Sequence, residues 1–304
     1  MTIHHASVRQ NFVWRLEALG YDLATALARL FPIDSISDFG AWIFRRLGPL
    51  TTASRVAEIN LRIVFPDASD AEIRRLVSEQ WGHLGRWALE FLILDKIIND
   101  PERVEVVGAD RLAAIRDGAG PVVFISGHFS SFEVMPAVIL RAGITCQITY
   151  RATNNPYVDE SIRRNRFRYG VRLFAPKGTD GARELIRALS RGESVALMND
   201  QKFNGGIAAP LFGVTAHTAP GPASFALRFG APLQPMSVQR VGDKARFRLI
   251  VHDQIRLEDT GDRNADIEAG VRRINAFIED RVRERPAEWF WVHKRWPNEV
   301  YRKR

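Results

Sequence analysis

The feature that most constrains the fold is a change of hydrophobic period near residue 103. Before that point apolar residues recur at helical spacing, and the capping-box pattern of Ser69 and Glu72 opens a long helix. After it, short runs rich in β-branched and aromatic residues alternate with helical stretches. Strands that alternate with helices predict an α/β fold with a largely parallel or mixed central sheet flanked by helices.

The alternation defines individual elements. The predicted strands are 103–108, 121–126, 144–150, 194–198, 233–238 and 246–252, and the predicted helices are 109–117, 131–142, 157–169, 180–190, 218–229 and 265–284. The sequence contains no internal repeat, low-complexity tract or Pro/Gly linker. We therefore expect a helical N-terminal extension over 1–100, part of it membrane-associating, followed by one integrated α/β core over 101–304.

Two N-terminal segments, 8–31 and 36–50, are rich in aromatic and aliphatic residues. Charged residues interrupt both, so neither contains the ~20 consecutive apolar residues that a spanning helix needs. Helices of this kind lie in a membrane interface or pack in a protein core, and the sequence leaves both possibilities open. If they bind a membrane, peripheral attachment is favoured over a single-pass span.

The formal net charge of +8 comes mostly from arginine, and Cys146 is the single cysteine, which excludes a disulfide framework. Arginine suits two-pronged recognition of phosphate or carboxylate, so an anionic partner is expected, although a GC-rich genome would also enrich arginine. The basic residues are scattered, and no helix-turn-helix or RNA-binding signature is visible. We predict no nucleic-acid partner.

The stretch 121-PVVFISGHFSSFEVMP-136 contains the strongest candidate for chemistry. His128 follows the predicted strand, and Glu133 lies in the first turns of the next helix, at the strand ends where open α/β sheets bind ligands. On one helix, residues five apart diverge by about 140°, so the two meet only if the chain turns between them. A carboxylate on one ring nitrogen makes the other a better base, which predicts a dyad that deprotonates an alcohol.

Other interpretations of this pair remain. A metal site would need further ligands, and no second histidine is close in sequence, so neither metal nor cofactor is predicted. Neither a G-x-S-x-G elbow nor a Walker A loop occurs. The alternative is a solvent-facing His128 beside a helix-capping Glu133.

The H-x4-E arrangement of GHFSSFE resembles the signature of the lipid A biosynthesis acyltransferases, the late or secondary lauroyl- and myristoyl-type enzymes related to the glycerolipid acyltransferases. Further blocks occur in the family's order: 154-NNPYVDESIRRNRFRYG-170, 199-NDQ-201, 210-PLFGVTAHTAPG-221 and 286-PAEWFWVHKRW-296. The chain departs from the family in having Ser130-Ser131-Phe132 where Gly-Asn-Trp is frequent, and in a charged N-terminal segment where many members span the membrane.

The resemblance implies a glycerolipid-acyltransferase-like fold and acyl transfer from acyl carrier protein to a hydroxyl of a lipid A precursor, in lipopolysaccharide biosynthesis at the cytoplasmic face of the inner membrane. It implies His128 as general base, Glu133 as its orienting acid, and four substrate contacts, Arg166, Arg168, Asp200 and Gln201. Two alternatives stay open. One is the same chemistry on another glycolipid or a lysophospholipid; the other is a non-catalytic peripheral membrane-binding protein.

Overall fold

The computed structural model describes residues 7–118, 120–150, 152–172, 174–176 and 179–302. Helices occupy the chain up to residue 99, and strands first appear at Val104. The helices are α1 (Val8–Ala28), α2 (Ile33–Leu47), α3 (Thr52–Val64), α4 (Asp70–Glu90), α5 (Leu94–Asn99), α6 (Ala109–Asp117), α7 (Val134–Arg141), α8 (Pro156–Phe167), α9 (Thr179–Ser190), α10 (Gly221–Phe229) and α11 (Arg263–Glu284).

The strands form one large sheet and one hairpin. Their bounds are β1 (Val104–Val107), β2 (Val123–Ser126), β3 (Cys146–Tyr150), β4 (Phe174–Pro176), β5 (Ser194–Met198), β6 (Ile207–Leu211), β7 (Val214–Thr218), β8 (Leu233–Arg240) and β9 (Phe247–Val251). The large sheet has the order β1-β9-β8-β2-β5-β3-β4, and all its pairs are parallel except β8 with β9. Helices flank this sheet, so the predicted α/β fold class is confirmed.

Strand β2 lies in the middle of the sheet and is buried along its whole length, as its apolar run predicts. Its two neighbours, β5 and β8, are parallel to it. The carboxyl ends of β2 and β5 therefore meet at the same edge of the sheet, and this edge carries the candidate site.

The β6–β7 hairpin was not predicted, and the helix predicted from residue 218 begins at Gly221, as α10. The hairpin turn is Phe212-Gly213, and both residues have positive φ, 52° and 73°. Two successive residues with positive φ are typical of the two-residue turns that join antiparallel strands.

Helices α2 and α4 pack closely because glycines face each other. A Cβ at Gly40 would lie 2.3 Å from the Gly85 carbonyl oxygen, and a Cβ at Gly85 would lie 2.1 Å from that of Gly40. Arg86 of α4 also donates to Ser37 and Asp38 of α2. Glu90, at the end of α4, forms a buried ion pair of 2.8 Å with Arg240 of β8. The N-terminal helices are thus joined to the sheet by a buried ion pair as well as by apolar contacts.

Candidate active site

The register of two strands brings His128 and Asp200 together. Ser126 is paired with Met198 at the carboxyl ends of β2 and β5. His128 lies two residues after Ser126, and Asp200 lies two residues after Met198. Both therefore leave the sheet at the same level and at the same edge. Sequence position separates them by 72 residues, and the sheet order makes them neighbours.

Asp200 holds both the ring and the backbone of His128. His128 Nδ1 lies 2.7 Å from Asp200 Oδ1, and the His128 amide donates to Asp200 Oδ2 at 2.7 Å. Asp200 is fully buried, whereas the His128 side chain keeps 13% of its exposure. A histidine whose Nδ1 is held by a carboxylate and whose side chain stays partly exposed is suited to exchange a proton with a substrate.

The protonation state of the pair follows from its surroundings. Burial by itself raises the pKa of the Asp200 carboxyl, but the charge and hydrogen bonds of His128 outweigh it, and the net pKa lies below its usual range. An ionised carboxylate only accepts hydrogen bonds, so Nδ1 of His128 carries the proton. In the form of the ring that carries one proton, the lone pair therefore lies on Nε2.

The loop from Gly127 to Phe132 needs unusual backbone geometry. A Cβ at Gly127 would lie 2.7 Å from the Phe129 ring, so a side chain there would displace it. Ser130 has φ of 48°, which is uncommon for a residue other than glycine. Its amide donates to the Glu288 carbonyl at 2.8 Å, which holds this conformation in place.

Glu133 and Asp200 have partners other than those predicted. Glu133 was expected to orient the His128 ring, but its carboxylate binds Arg166 of α8 through Nη2 at 2.5 Å and Nε at 3.2 Å. Asp200, predicted to contact substrate, has instead the place beside His128 that was expected for Glu133. The loop bends between His128 and Glu133, and the Phe132 ring packs edge-on against His128 at 4.7 Å.

The Arg166–Glu133 pair lies at an apolar cavity of about 80 Å³ between α7 and the sheet. Both side chains are largely buried, and Arg166 also lies over the rings of Phe91 and Tyr150. The cavity lining is mostly aliphatic and aromatic. The apolar lining residues are Phe124, Ile125, Phe132, Met135, Pro136, Ile139, Ile148, Val171, Ala196, Leu197, Met198 and Met236.

The remaining predicted substrate contacts, Arg168 and Gln201, are both exposed. Arg168 caps the C-terminus of α8, and Gln201 directly follows the buried Asp200. Of the predicted site residues, the structure therefore groups His128 with Asp200, and Glu133 with Arg166.

The C-terminal segment 286–296 packs onto the site instead of facing solvent. Trp289, Trp291 and Trp296 are 2%, 0% and 0% exposed, so these aromatic residues pack in the core and do not face a membrane interface. Trp289 Nε1 donates to Asp200 Oδ2 at 2.8 Å, and His293 Nε2 lies 3.3 Å from the Asp200 carbonyl oxygen. Neither Trp289 nor His293 was predicted at the site, although both belong to the block 286-PAEWFWVHKRW-296 that resembles the family.

A family model described as bacterial lipid A biosynthesis acyltransferase matches residues 10–298. The lipid A biosynthesis palmitoleoyltransferase of Escherichia coli (strain K12) is 26% identical over 250 residues, covering 79% of this chain and 77% of that protein. The lipid A biosynthesis lauroyltransferase of the same organism is 24% identical over 251 residues, covering 80% and 78%.

Among solved structures, a more distant similarity is found. The 1-acyl-sn-glycerophosphate (LPA) acyltransferase from Thermotoga maritima superposes with a TM-score of 0.37 at 16% identity, and the match covers 81% of this chain and 99% of that one.

Proposed function

The chain belongs to the bacterial lipid A biosynthesis acyltransferase family, and from that premise we propose that it moves a fatty acyl chain from an acyl carrier protein thioester to a hydroxyl of a lipid A precursor. It is an acyltransferase; the donor, the acceptor and the residues in their roles are our proposal. The observation that carries it is the His128–Asp200 pair at the sheet edge, next to an apolar cavity of about 80 Å³.

In the proposed reaction His128 is the general base. Its Nε2 removes the proton of the acceptor hydroxyl while the hydroxyl oxygen attacks the thioester carbonyl carbon. The new C–O bond forms, the C–S bond breaks, and the imidazolium returns the proton to the leaving thiolate. Asp200 keeps the ring in the required tautomer and stabilises the imidazolium that forms, without itself taking the proton.

The oxyanion of the tetrahedral intermediate needs hydrogen-bond donors. The amides of Phe129 and Ser130 already donate to the carbonyls of Gly127 and Glu288. We assign the oxyanion to the next two amides of the loop, those of Ser131 and Phe132, which precede α7. The contact of the Phe132 side chain with the His128 ring supports this assignment.

The cavity beneath α7 is the proposed place for the start of the acyl chain. Its apolar lining suits methylene groups, since burial of each is worth about 0.8 kcal/mol. Glu133 and Arg166 are the charged side chains among its lining residues. In this proposal Glu133 contributes to the reaction through Arg166, which together with the exposed Arg168 and Gln201 contacts the anionic part of a substrate.

The donor can be tested by kinetics. Acyl carrier proteins are acidic and this chain carries a net charge of +8, so the encounter should be favoured electrostatically. We expect carrier-protein thioesters to outpace coenzyme A thioesters at equal concentration. We also expect kcat/KM with the carrier protein to fall steeply when salt rises from about 0.1 M to 1 M, because the Debye length falls from ~10 Å to ~3 Å.

The measurement is the initial rate against donor concentration for both donors at both ionic strengths, with a lipid A precursor as acceptor. A lysophospholipid in parallel reactions is the acceptor control. A preference for coenzyme A, or for the lysophospholipid, would move the chain to the glycerolipid type of reaction. A carrier-protein rate indifferent to salt would remove the electrostatic part of the proposal.

We further propose that α1 and α2 attach the protein peripherally to the cytoplasmic face of the inner membrane. None of the helices in the described ranges has the length and apolar content of a bilayer-spanning segment. One side of α1 packs on α8, and Asn155 Nδ2 donates to the Trp14 carbonyl at 2.8 Å. The other side carries exposed apolar residues at helical spacing, namely Phe12, Leu16, Leu19, Leu23 and Leu27.

Helix α2 extends this surface. Phe39 and Trp42 are stacked and about half exposed, and the Arg46 guanidinium lies 4.4 Å from the centre of the Trp42 ring. Exposed aromatic residues with adjacent arginines suit the boundary between acyl chains and anionic headgroups. All but four of the exposed large apolar residues in the described ranges lie between Val8 and Leu50.

Replacing Leu19 and Leu23 together with glutamate should weaken binding to anionic lipid vesicles by about 10-fold or more, since two apolar side chains leave the interface and two negative charges enter it. The control is the double change of Phe203 and Val241 to glutamate, which adds the same charge at exposed apolar positions elsewhere. Vesicle co-sedimentation measures binding, and rates on detergent-dispersed substrate report the chemistry. Equal losses in both variants would contradict a membrane-binding role for α1.

A further inference from the structure

The C-terminal segment contributes a hydrogen bond directly to the catalytic pair. Asp200 Oδ2 accepts the Trp289 indole N–H at 2.8 Å and the His128 amide at 2.7 Å, while Oδ1 lies against the His128 ring. Trp289 is 2% exposed, so this bond is shielded from water. Oδ2 therefore anchors the Asp200 carboxylate, and Oδ1 holds the His128 imidazole.

The indole is itself fixed by the surrounding chain. Trp289 forms an isolated antiparallel bridge with Phe129, and the Glu288 carbonyl accepts the Ser130 amide at 2.8 Å. Its ring packs edge-on against Trp291 at 4.7 Å. On the other side, Asn60 of α3 donates to the carbonyls of Trp291 and His293 at 2.7 and 2.8 Å. The donor is thus held by both the catalytic loop and the N-terminal helices.

We propose that Trp289 is a positioning residue for acyl transfer: its indole N–H fixes the Asp200 carboxylate so that Oδ1 holds the His128 ring in the orientation for proton transfer. This inference rests on the proposed function, in which His128 is the base. An aspartate carboxylate rotates readily about its terminal bond, so a second anchor on Oδ2 restricts the movement that would tilt the imidazole. A phenyl ring in place of the indole would fill much of the space without supplying the N–H.

The pH dependence of the reaction gives a readout that a packing role would not change. The titratable and charged groups around the pair are His293 and Arg295 from the C-terminal segment, with His128 and Asp200 themselves. Without the indole donor, more of the carboxylate charge acts on the His128 ring and favours the imidazolium. The base then becomes neutral only at higher pH, so the acidic limb of the kcat/KM profile shifts to higher pH.

The experiment compares Trp289→Phe with Trp296→Phe. Both changes remove a buried indole from the same segment, but Trp296 Nε1 has no hydrogen-bond partner among the described residues, and its ring packs against Phe212. For Trp289→Phe we expect kcat to fall on the order of 10-fold to 100-fold, as when a partner that orients a functional side chain is removed, with KM for both substrates little changed. We also expect the acidic limb to move to higher pH. Trp296→Phe should keep the wild-type kcat and limb; equal effects in the two variants would overturn the proposal.

A double-mutant cycle with Asp200→Asn separates this inference from the proposed function. If Trp289 acts through Asp200, adding Trp289→Phe to Asp200→Asn costs little further rate. Independent, multiplicative losses would exclude action through Asp200. Failure of the proposed function appears differently, as a His128→Ala variant that keeps wild-type turnover.

If Trp289→Phe does not fold, an NMR measurement on a protein that keeps all its tryptophans tests the proposal instead. With ¹⁵N-labelled tryptophan, the seven indole N–H signals can be compared between wild type and Asp200→Asn. We expect one signal to move strongly upfield in the proton dimension, because its acceptor changes from a carboxylate to an amide. The other signals, Trp291 included, should stay near their wild-type positions. Seven unchanged signals would overturn the proposal.

Discussion

Replacing His128 with alanine is expected to lower acyl transfer by about 10²–10⁴-fold, the usual contribution of a general base. The ring contacts Phe132 and Phe290, so a modest loss of stability is also expected, without loss of the fold. Initial rates with an acyl carrier protein donor measure the first effect, and thermal unfolding followed by circular dichroism measures the second.

His252→Ala is the matched control for this substitution. His252 is also partly buried and has an edge-on aromatic neighbour, Phe277 at 5.2 Å. Its amide donates to the Pro235 carbonyl, and its Nε2 lies 2.8 Å from Ser237 Oγ, so it is held by β8 and not by Asp200. The control should keep wild-type turnover. A His128→Ala enzyme within a few-fold of wild type would exclude the general-base role and favour a non-catalytic membrane-binding protein.

Asp200→Asn should lower kcat by about as much, on the order of 10²–10⁴-fold, although the side chain keeps its size. An asparagine amide can donate to Nδ1 of His128, which places the ring proton on Nε2, the atom that must accept one. Because the pKa of Asp200 is lowered, its carboxylate stabilises the fold at neutral pH, and this contribution is lost only when acid protonates it below the ordinary aspartate range near 4. Loss of activity at mildly acid pH therefore does not come from Asp200.

The Glu133→Gln variant distinguishes the role of Glu133 from that of Asp200. Since Glu133 binds Arg166 and not the imidazole, this variant should lose stability, seen as a lower Tm, and should lose less kcat than Asp200→Asn. Steady-state kinetics and thermal unfolding of the two variants under the same conditions make the comparison. If folded Glu133→Gln were inactive while Asp200→Asn kept near wild-type kcat, the orienting role would return to Glu133, as its spacing from His128 first suggested.

Most helices and strands could be predicted from the sequence, but which strands lie side by side in the sheet could not. Period and composition place His128 beyond a buried strand, and β2 runs to Ser126 as expected. Partner choice depends on which strand lies beside β2, and that order is a property of the assembled sheet. Asp200 lies two residues after β5, so a position at the strand-end crevice is consistent with its place in the sequence. Its contact with His128 could not be deduced without the β2–β5 register.

Two other differences between expectation and structure have separate causes. The β6–β7 hairpin was missed because its turn, Phe212-Gly213, places a bulky residue at a positive φ where asparagine or aspartate is the usual signal. The tryptophans of 286–296 have a composition that suits either a membrane interface or a core. Their burial is decided by partners far away in sequence, such as Asp200 for Trp289 and Asn60 for the backbone of Trp291.

The bonds between segment 286–296 and the loop of His128 can form only late when the protein folds during synthesis. The ribosome makes β2, β5 and β8 before Trp289, so a nascent chain can pair the strands that bring His128 and Asp200 together. The Trp289 indole N–H, which donates to Asp200, and the Glu288 carbonyl, which accepts from Ser130, are made after all of these strands. During translation the proposed catalytic pair can therefore assemble before the two bonds that restrain it.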